Sequence, residues 1–203
     1  ASDVYKRQMV LNGTIINQNG WVWKLGMNLT HYKNKVTDLP LKDMPQSGVN
    51  KLQVGRSVYD FYMIEWAGVD PENGDPLWYK DEVDANKNPT GKRVTTNDYG
   101  SADYYYVNKS SLPKVYGGFN TSLSWKGFDL SAIFAYSIGG YIYNRDITMI
   151  LHNGSLEGRD WSTEILKRWT PDNRYTDVPA LSTTSNDLSL IHISEPTRLL
   201  SIS

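Results

Sequence analysis

Few side chains in this sequence are placed to do covalent chemistry. None of its 203 residues is cysteine, which removes disulfides, thiolate nucleophiles and thiolate metal ligands. Of the histidines, His31 and His152 fall in the body of the chain; neither has metal-pair spacing, and no Ser/His/Asp grouping is visible. Asp70, Asn73 and Asp75 imitate the start of a calcium loop, but the downstream Glu is missing, and a plain Asx-rich turn accounts for them. Asp81, Glu82 and Asp84 stand close enough for acid–base work, yet a solvated loop face is the simpler reading. Glu65 and Asp129 are the acids centred in expected strands, and nothing brings them together as a glycosidase pair. The run Tyr104, Tyr105, Tyr106 is the candidate for binding chemistry, because aromatic faces stack on sugar rings. Anchoring at a membrane interface or packing on a neighbouring loop competes with that role and is the favoured reading. Asn28, Asn108, Asn120 and Asn153 begin Asn-x-Ser/Thr triplets; Asn28 and Asn120 fall inside expected strands, and none is read as glycosylated. The chain is therefore read as a non-enzyme without catalytic residues, cofactor or metal.

The elements that carry these residues are strands. Residues 116–143 read as a hairpin whose first arm sets Phe119, Thr121, Leu123 and Trp125 against Gly118, Asn120, Ser122 and Ser124. Its second arm sets Phe128, Leu130, Ala132, Phe134, Tyr136 and Ile138 against Asp129, Ser131, Ala135 and Ser137. A two-residue loop at Lys126-Gly127 places Trp125 across from Phe128, Leu123 from Leu130 and Phe119 from Phe134, so that the apolar sets share one face. Upstream, residues 9–17 and 21–32 form a second hairpin around Asn19-Gly20, with Ile16 opposite Trp23 and Thr14 opposite Leu25. A third strand is expected over about 56–68 and a fourth over 76–80, joined by the turn 70–75. Residues 162–169 read as two turns of helix, stopped before Pro171. One face apolar and one polar suits a soluble sandwich with a buried core, or a barrel with lipid outside and a polar lumen.

Loop lengths and tryptophans discriminate. Short turns follow strands one, three and five, and long loops follow two, four and six, as in outer-membrane barrels. Trp21 and Trp23, Trp66 and Trp78, and Trp125 with Phe128 lie beside the three short turns and are expected to form one aromatic girdle. Tyr32, Tyr59, Tyr136 and Tyr141 lie near the opposite strand ends. With 7 Trp and 14 Tyr but low hydropathy, the composition suits a barrel or a carbohydrate-binding sandwich.

The ends read as foreign. Residues 3–8, back-translated and reverse-complemented, encode Leu-Ser-Leu-Ile-His-Ile, the sequence of residues 188–193. Residues 1–8 and 188–203 therefore resemble the two ends of a sequencing adapter read as protein, and the native stretch is expected to be 9–187, an interior piece of a longer gene. Setting aside Lys6, Arg7, Arg198, Asp3 and Glu195 leaves 18 basic against 20 acidic residues, a net of −2, and gives no reason to expect a nucleic-acid partner.

Four stretches resemble one known family. Residues 55–62 followed by 68–79 (GVDPENGDPLWY) are similar to the "GxDPxTGxxxY" stretch of the SusC/RagA-type TonB-dependent outer-membrane transporters of Bacteroidetes. Residues 113–144 match that family's "P…GGF…YKGFDLS…G…IYN" pattern, with Trp125 where Tyr or Phe is usual, and 168–173 (RWTPDN) resemble its "RWTPEN" loop. Residues 12–16 and 33–36 resemble the strand pair upstream. The resemblance implies an all-β fold: about six late strands of a 22-stranded antiparallel transmembrane β-barrel, with long extracellular loops and a short loop helix. It implies a plug and TonB acting through an N-terminal part not in this sequence, a SusD-like lipoprotein lid, outer-membrane lipid around the wall, and import of glycans or oligopeptides. The helix at 162–169 would then touch the lid or pack within its loop. The competing reading is a secreted carbohydrate-binding β-sandwich.

Overall fold

A computed structural model describes residues 1–41, 44–151, 158, 160–182 and 193–194. His152, Asn153 and most of 188–203 lie outside these described residues. In chain order the strands are β1 (Ser2–Gln18), β2 (Trp21–Val36), β3 (Asp60–Ile64), β4 (Trp66–Val69), β5 (Pro76–Val83), β6 (Pro89–Thr96), β7 (Tyr104–Ser110), β8 (Val115–Trp125), β9 (Phe128–Ile138), β10 (Ile142–Tyr143) and β11 (Ile193–Ser194). One α-helix, α1 (Arg145–Ile150), and 3-10 turns at Tyr99–Ser101 and Thr163–Lys167 complete the described elements. The fold is all-β, and its sheets group into two compact units, 1–61 with 108–142 and 62–107 with 143–194.

The first unit is a four-stranded antiparallel sheet in the order β1-β2-β8-β9. Both hairpins turn through two residues at positive φ: Asn19 (52°) with Gly20 (78°), and Lys126 (47°) with Gly127 (88°). Such turns match the right-handed twist of the flanking strands, and they fix the register. The β8–β9 register is the expected one: Trp125 faces Phe128, Leu123 faces Leu130 and Phe119 faces Phe134. In the β1–β2 hairpin Ile16 faces Trp23 as expected, but Thr14 faces Lys24 and Gly13 faces Leu25. The expected Thr14–Leu25 pair fails because a bulge between Thr14 and Ile16 inserts one residue and inverts the parity below it.

The larger departure concerns strand partners. β2 pairs directly with β8, Trp21 opposite Trp125 through Thr30 opposite Tyr116. The contiguous sheet therefore has four strands, and the third and fourth expected strands do not enter it. Residues 60–96 instead build β3, which pairs with β7, and the sheet β4-β5-β6. Residues 2–8 continue β1 alongside the outer half of β2, Ser2 opposite Val36.

The sheet has the two unlike faces that its alternation demands. Leu25, Met27, Phe119, Phe128 and Leu130 share the apolar face and are all exposed. On the other, Gly26 lies between Asn12 and Asn120, whose side-chain oxygens occupy the space a Cβ would need. The Tyr136 hydroxyl passes over Gly117 and donates to the Asn28 carbonyl at 3.0 Å, stitching β9 to β2 across β8.

The second unit has a core of Met63, Ile64, Trp78, Leu151 and Ile165. The turn 70–75 is closed by Asp70 and Gly74, whose N–H groups donate to the Asp75 and Asp70 carbonyls. The loop after the 3-10 turn clamps it: Trp169 Nε1 donates to the Pro71 carbonyl at 3.1 Å, and Ala180 N–H donates to the Gly74 carbonyl at 2.9 Å. Residues 163–167 form a 3-10 turn rather than the expected two α-helical turns. Ser162 caps Glu164, Arg168 is already extended, and Trp169 N–H is held by the Val178 carbonyl, which leaves no room to propagate.

Candidate functional site

The expected girdle divides between the sheets. Trp21, Trp23, Trp125 and Phe128 lie at the turn end of the four-stranded sheet, and Trp21 stacks on Trp125 with centroids 4.8 Å apart at 16°. Trp23 Nε1 donates to Thr121 Oγ1 at 2.8 Å. Phe128 is 75% exposed and Lys126 Nζ sits 5.1 Å over the Trp125 ring, a cation–π contact. Trp66 and Trp78 lie on β4 and β5 of another sheet. They face each other across β4 and β5, rings edge-on at 6.0 Å, and Trp78 is 2% exposed against Tyr99. Trp78 is enclosed by protein and packs within the second unit, whereas Trp66 beside it is only half-buried.

The three tyrosines also separate, because β7 alternates its faces. Tyr104 and Tyr106 both meet Tyr62, with ring centroids 5.7 Å and 4.8 Å away. Tyr105 points elsewhere: its hydroxyl donates to Asp81 Oδ1 at 3.0 Å, and Arg93 Cζ lies 3.8 Å over its ring. Arg93 in turn pairs with Glu65 at 2.9 Å. Partial burial, then the bond to Asp81 and the charges of Asp81 and Asp103, push the Tyr105 phenol well above the usual tyrosine range; Arg93 opposes them. Tyr105 is thus engaged within the protein, while Tyr104, Tyr106 and Tyr62 form the aromatic surface. Tyr62 was not singled out in the sequence, since its place depends on β3 finding β7.

The acidic candidates are held by neighbouring donors. Asp70 Oδ1 accepts from Glu72 N–H, and Asp75 Oδ2 accepts from the Asn73 and Asn97 amides. Asp84 accepts from the N–H groups of Asn86 and Asn88, and the Asn88 bond is the main cause of its lowered pKa. Glu82 accepts from Thr90. Asp129 lies opposite Ser124 on the polar face of the four-stranded sheet, and Glu65 is held by Arg93 on another element. Among the described residues no group of three or more His, Asp or Glu is arranged to hold a metal.

At the other end of the four-stranded sheet, β2 is capped from its polar side. Asn34 Oδ1 accepts from Val58 N–H at 2.9 Å and Ser57 Oγ at 3.2 Å, and Val36 exchanges two backbone bonds of 2.8 Å with Gly55 and Arg56. At this end of β2 a cleft of about 390 Å³ is lined by residues of both strand parities, His31 and Lys33 as well as Tyr32, with Arg56, Asp60 and Pro113. Tyr32 meets Tyr116 edge-on at 5.9 Å, and Lys109 Nζ lies 4.9 Å over the Tyr141 ring.

The wall with one bare apolar face, its aromatic edge and its long excursion between β2 and β8 can be compared with known proteins. The chain matches no family model. It is similar to the solved RagAB peptide transporter, with 32% identity and a TM-score of 0.76 over 89% of this chain and 20% of that one. A RagAB peptide importer in a "closed-closed" state gives 31% identity and a TM-score of 0.78 over 94% of this chain and 21% of that one. Among curated proteins it is 30% identical over 186 residues to TonB-dependent receptor P26 of Formosa agariphila, and 26% identical over 183 residues to P3 of the same organism. The chain belongs to the SusC/RagA-type TonB-dependent transporters. It covers 83% of itself but only 18% of each curated relative's length, so it corresponds to a segment of such a transporter. No helix among the described residues is long and apolar enough to cross a membrane, which says nothing of a β-barrel, the architecture of this family.

Proposed function

We propose that the parent protein is an energy-coupled outer-membrane importer of glycans or oligopeptides, and that this chain supplies part of its wall and a loop unit. The supporting observation is the uncovered apolar face of the four-stranded sheet, with Leu130 69% and Phe128 75% exposed over a reverse face that carries Asp129, Ser131, Ser122 and Asn120 together with Ile133. A soluble sandwich buries that face under a second sheet, whereas a barrel turns it to lipid. In this reading Trp21, Trp23, Trp125 and Phe128 form part of a girdle at the periplasmic side, where both two-residue turns fall. TonB acts through a plug encoded upstream, and a SusD-like lipoprotein caps the outer side. Tyr104 and Tyr106, with Tyr62, offer stacking faces to a sugar ring or an aromatic peptide side chain. Residues 1–8 and 188–203 are adapter-encoded, and 9–187 is native.

Recovering the source DNA on both sides of this segment tests the proposal. The expected result is an upstream plug with a TonB box, a neighbouring gene for a SusD-like lipoprotein, and divergence from the given sequence before Met9 and after Asp187. An open reading frame beginning just before Met9 behind a signal peptide, with no barrel strands upstream, overturns it in favour of a secreted binding module.

A further inference from the structure

Beyond its apolar stretch, the outward face of β2 changes chemistry without changing direction. The strand keeps its two-residue alternation to its end: His31, Lys33 and Lys35 are exposed, while Asn34 and Val36 are buried. By strand parity the exposed three continue the face of Leu25, Met27 and Leu29. The strand end is held in place, because the Asn34 side chain on the other face accepts from Ser57 and Val58 and the Val36 backbone pairs with Gly55 and Arg56. His31 is oriented as well. Its Nδ1 lies 2.6 Å from the Lys114 carbonyl, which only accepts, so Nδ1–H donates and His31 is tied to the end of the neighbouring strand. Among the described residues neither Lys33 nor Lys35 is held in an ion pair.

Height decides what these groups meet. Measured from Trp21, Lys33 lies about 40 Å along an extended strand, or about 28 Å vertically at a 45° tilt, and Lys35 about 33 Å. The apolar band of such a barrel is about 25 Å tall. His31, at about 23 Å on the same measure, falls at its edge. We infer that Lys33 and Lys35 form a headgroup site on the outside of the wall that holds the phosphate of an anionic outer-leaflet lipid. Continuity with the lipid-facing band and charge complementarity name this occupant, since a side chain at headgroup height on the outward face meets lipid before it meets solvent or lumen. Lysine suits phosphate as a mobile point charge, and each one near an anionic surface is worth about a fivefold gain in affinity. The inference uses only residues after Met9, and it rests on the transporter reading above.

The test uses the full-length transporter that carries this segment, in nanodiscs of neutral phospholipid doped with either bisphosphorylated or dephosphorylated lipid A. Native mass spectrometry reads the lipid retained, and a heat-modifiable band on gels reports barrel insertion. The wild type is expected to retain the phosphorylated lipid about 25-fold better, two lysines at about fivefold each. Lys33→Gln with Lys35→Gln abolishes that preference; Lys24→Gln, on the polar face, keeps it. Equal retention of both lipids by an inserted wild-type barrel overturns the inference and leaves the transporter reading intact. So does a preference that survives the double variant, or one that millimolar inorganic phosphate removes, which marks a free-phosphate site. A wild type that does not insert overturns the transporter reading itself.

Discussion

Replacing Phe134 by Arg separates a lipid-facing wall from a covered sheet. Phe134 lies six residues beyond Phe128 on β9, opposite Phe119, with the two rings stacked at 4.3 Å and 13°. Six residues span about 20 Å, or about 14 Å of height at a 45° tilt, close to the middle of an apolar band about 25 Å tall. An arginine on the lipid face at that depth costs about 2–4 kcal/mol. Losing the stack with Phe119 costs about 0.5–1.5 kcal/mol beyond the lost area, so Phe134→Ala serves as the baseline. The difference between the Arg and Ala variants is then the lipid term, about 30- to 700-fold in the folding equilibrium. Leu130→Arg sits only about 5 Å above the girdle and is expected to cost about 0–1 kcal/mol. Ser131→Arg, one residue away on the polar face, is expected to cost little at any depth. Reversible guanidinium titration of the full-length transporter in lipid vesicles gives all four values. A lipid term at Phe134 below about 1 kcal/mol, or equal costs at Phe134 and Ser131, refutes the face assignment.

Two further outcomes follow from the second unit. Gly74 holds φ at 81°, and a Cβ there would enter the Trp169 ring and the Ala180 side chain. Gly74→Ala is expected to destabilise the clamped turn by about 2–4 kcal/mol, from left-handed strain plus overpacking, read as faster proteolysis of residues 62–107 in the full-length protein. The Tyr105 phenol titrates above the usual range, so its contribution to stability is complete below about pH 10 and is lost as pH rises through the folded value. An ultraviolet difference titration against Tyr105→Phe is expected to show one late-ionising phenol. Asp81→Asn lowers its pKa only in part, because burial is the larger cause.

Neither hairpin needed the rest of the molecule to be read. A two-residue turn of Asn-Gly or Lys-Gly joins strands whose side chains alternate every second residue, so local chemistry sets partner, register and face together. Trp125 opposite Phe128 and Phe119 opposite Phe134 follow from that alone. The turn at 70–75 was legible for the same reason, since its Asp and Asn side chains bond N–H groups two residues on. The bulge at Thr14–Ile16 was not, because nothing in the alternation marks an extra residue.

What only the tertiary structure decided is which strands are neighbours. Alternation says that a segment is a strand with two faces; it does not say which other strand bonds to its edge. β2 bypasses residues 37–114 to pair with β8, and Trp66 and Trp78 pair in another sheet, where Trp78 is buried. The fold also brings Tyr62 to Tyr104 and Tyr106, and Arg93 to Tyr105. Each of these contacts joins residues far apart in sequence, so it exists only once the intervening loop has closed and the strand edges have been paired. The sequence alone determined two hairpins, their faces and the family they resemble; the fold decided where the wall ends and the loop unit begins.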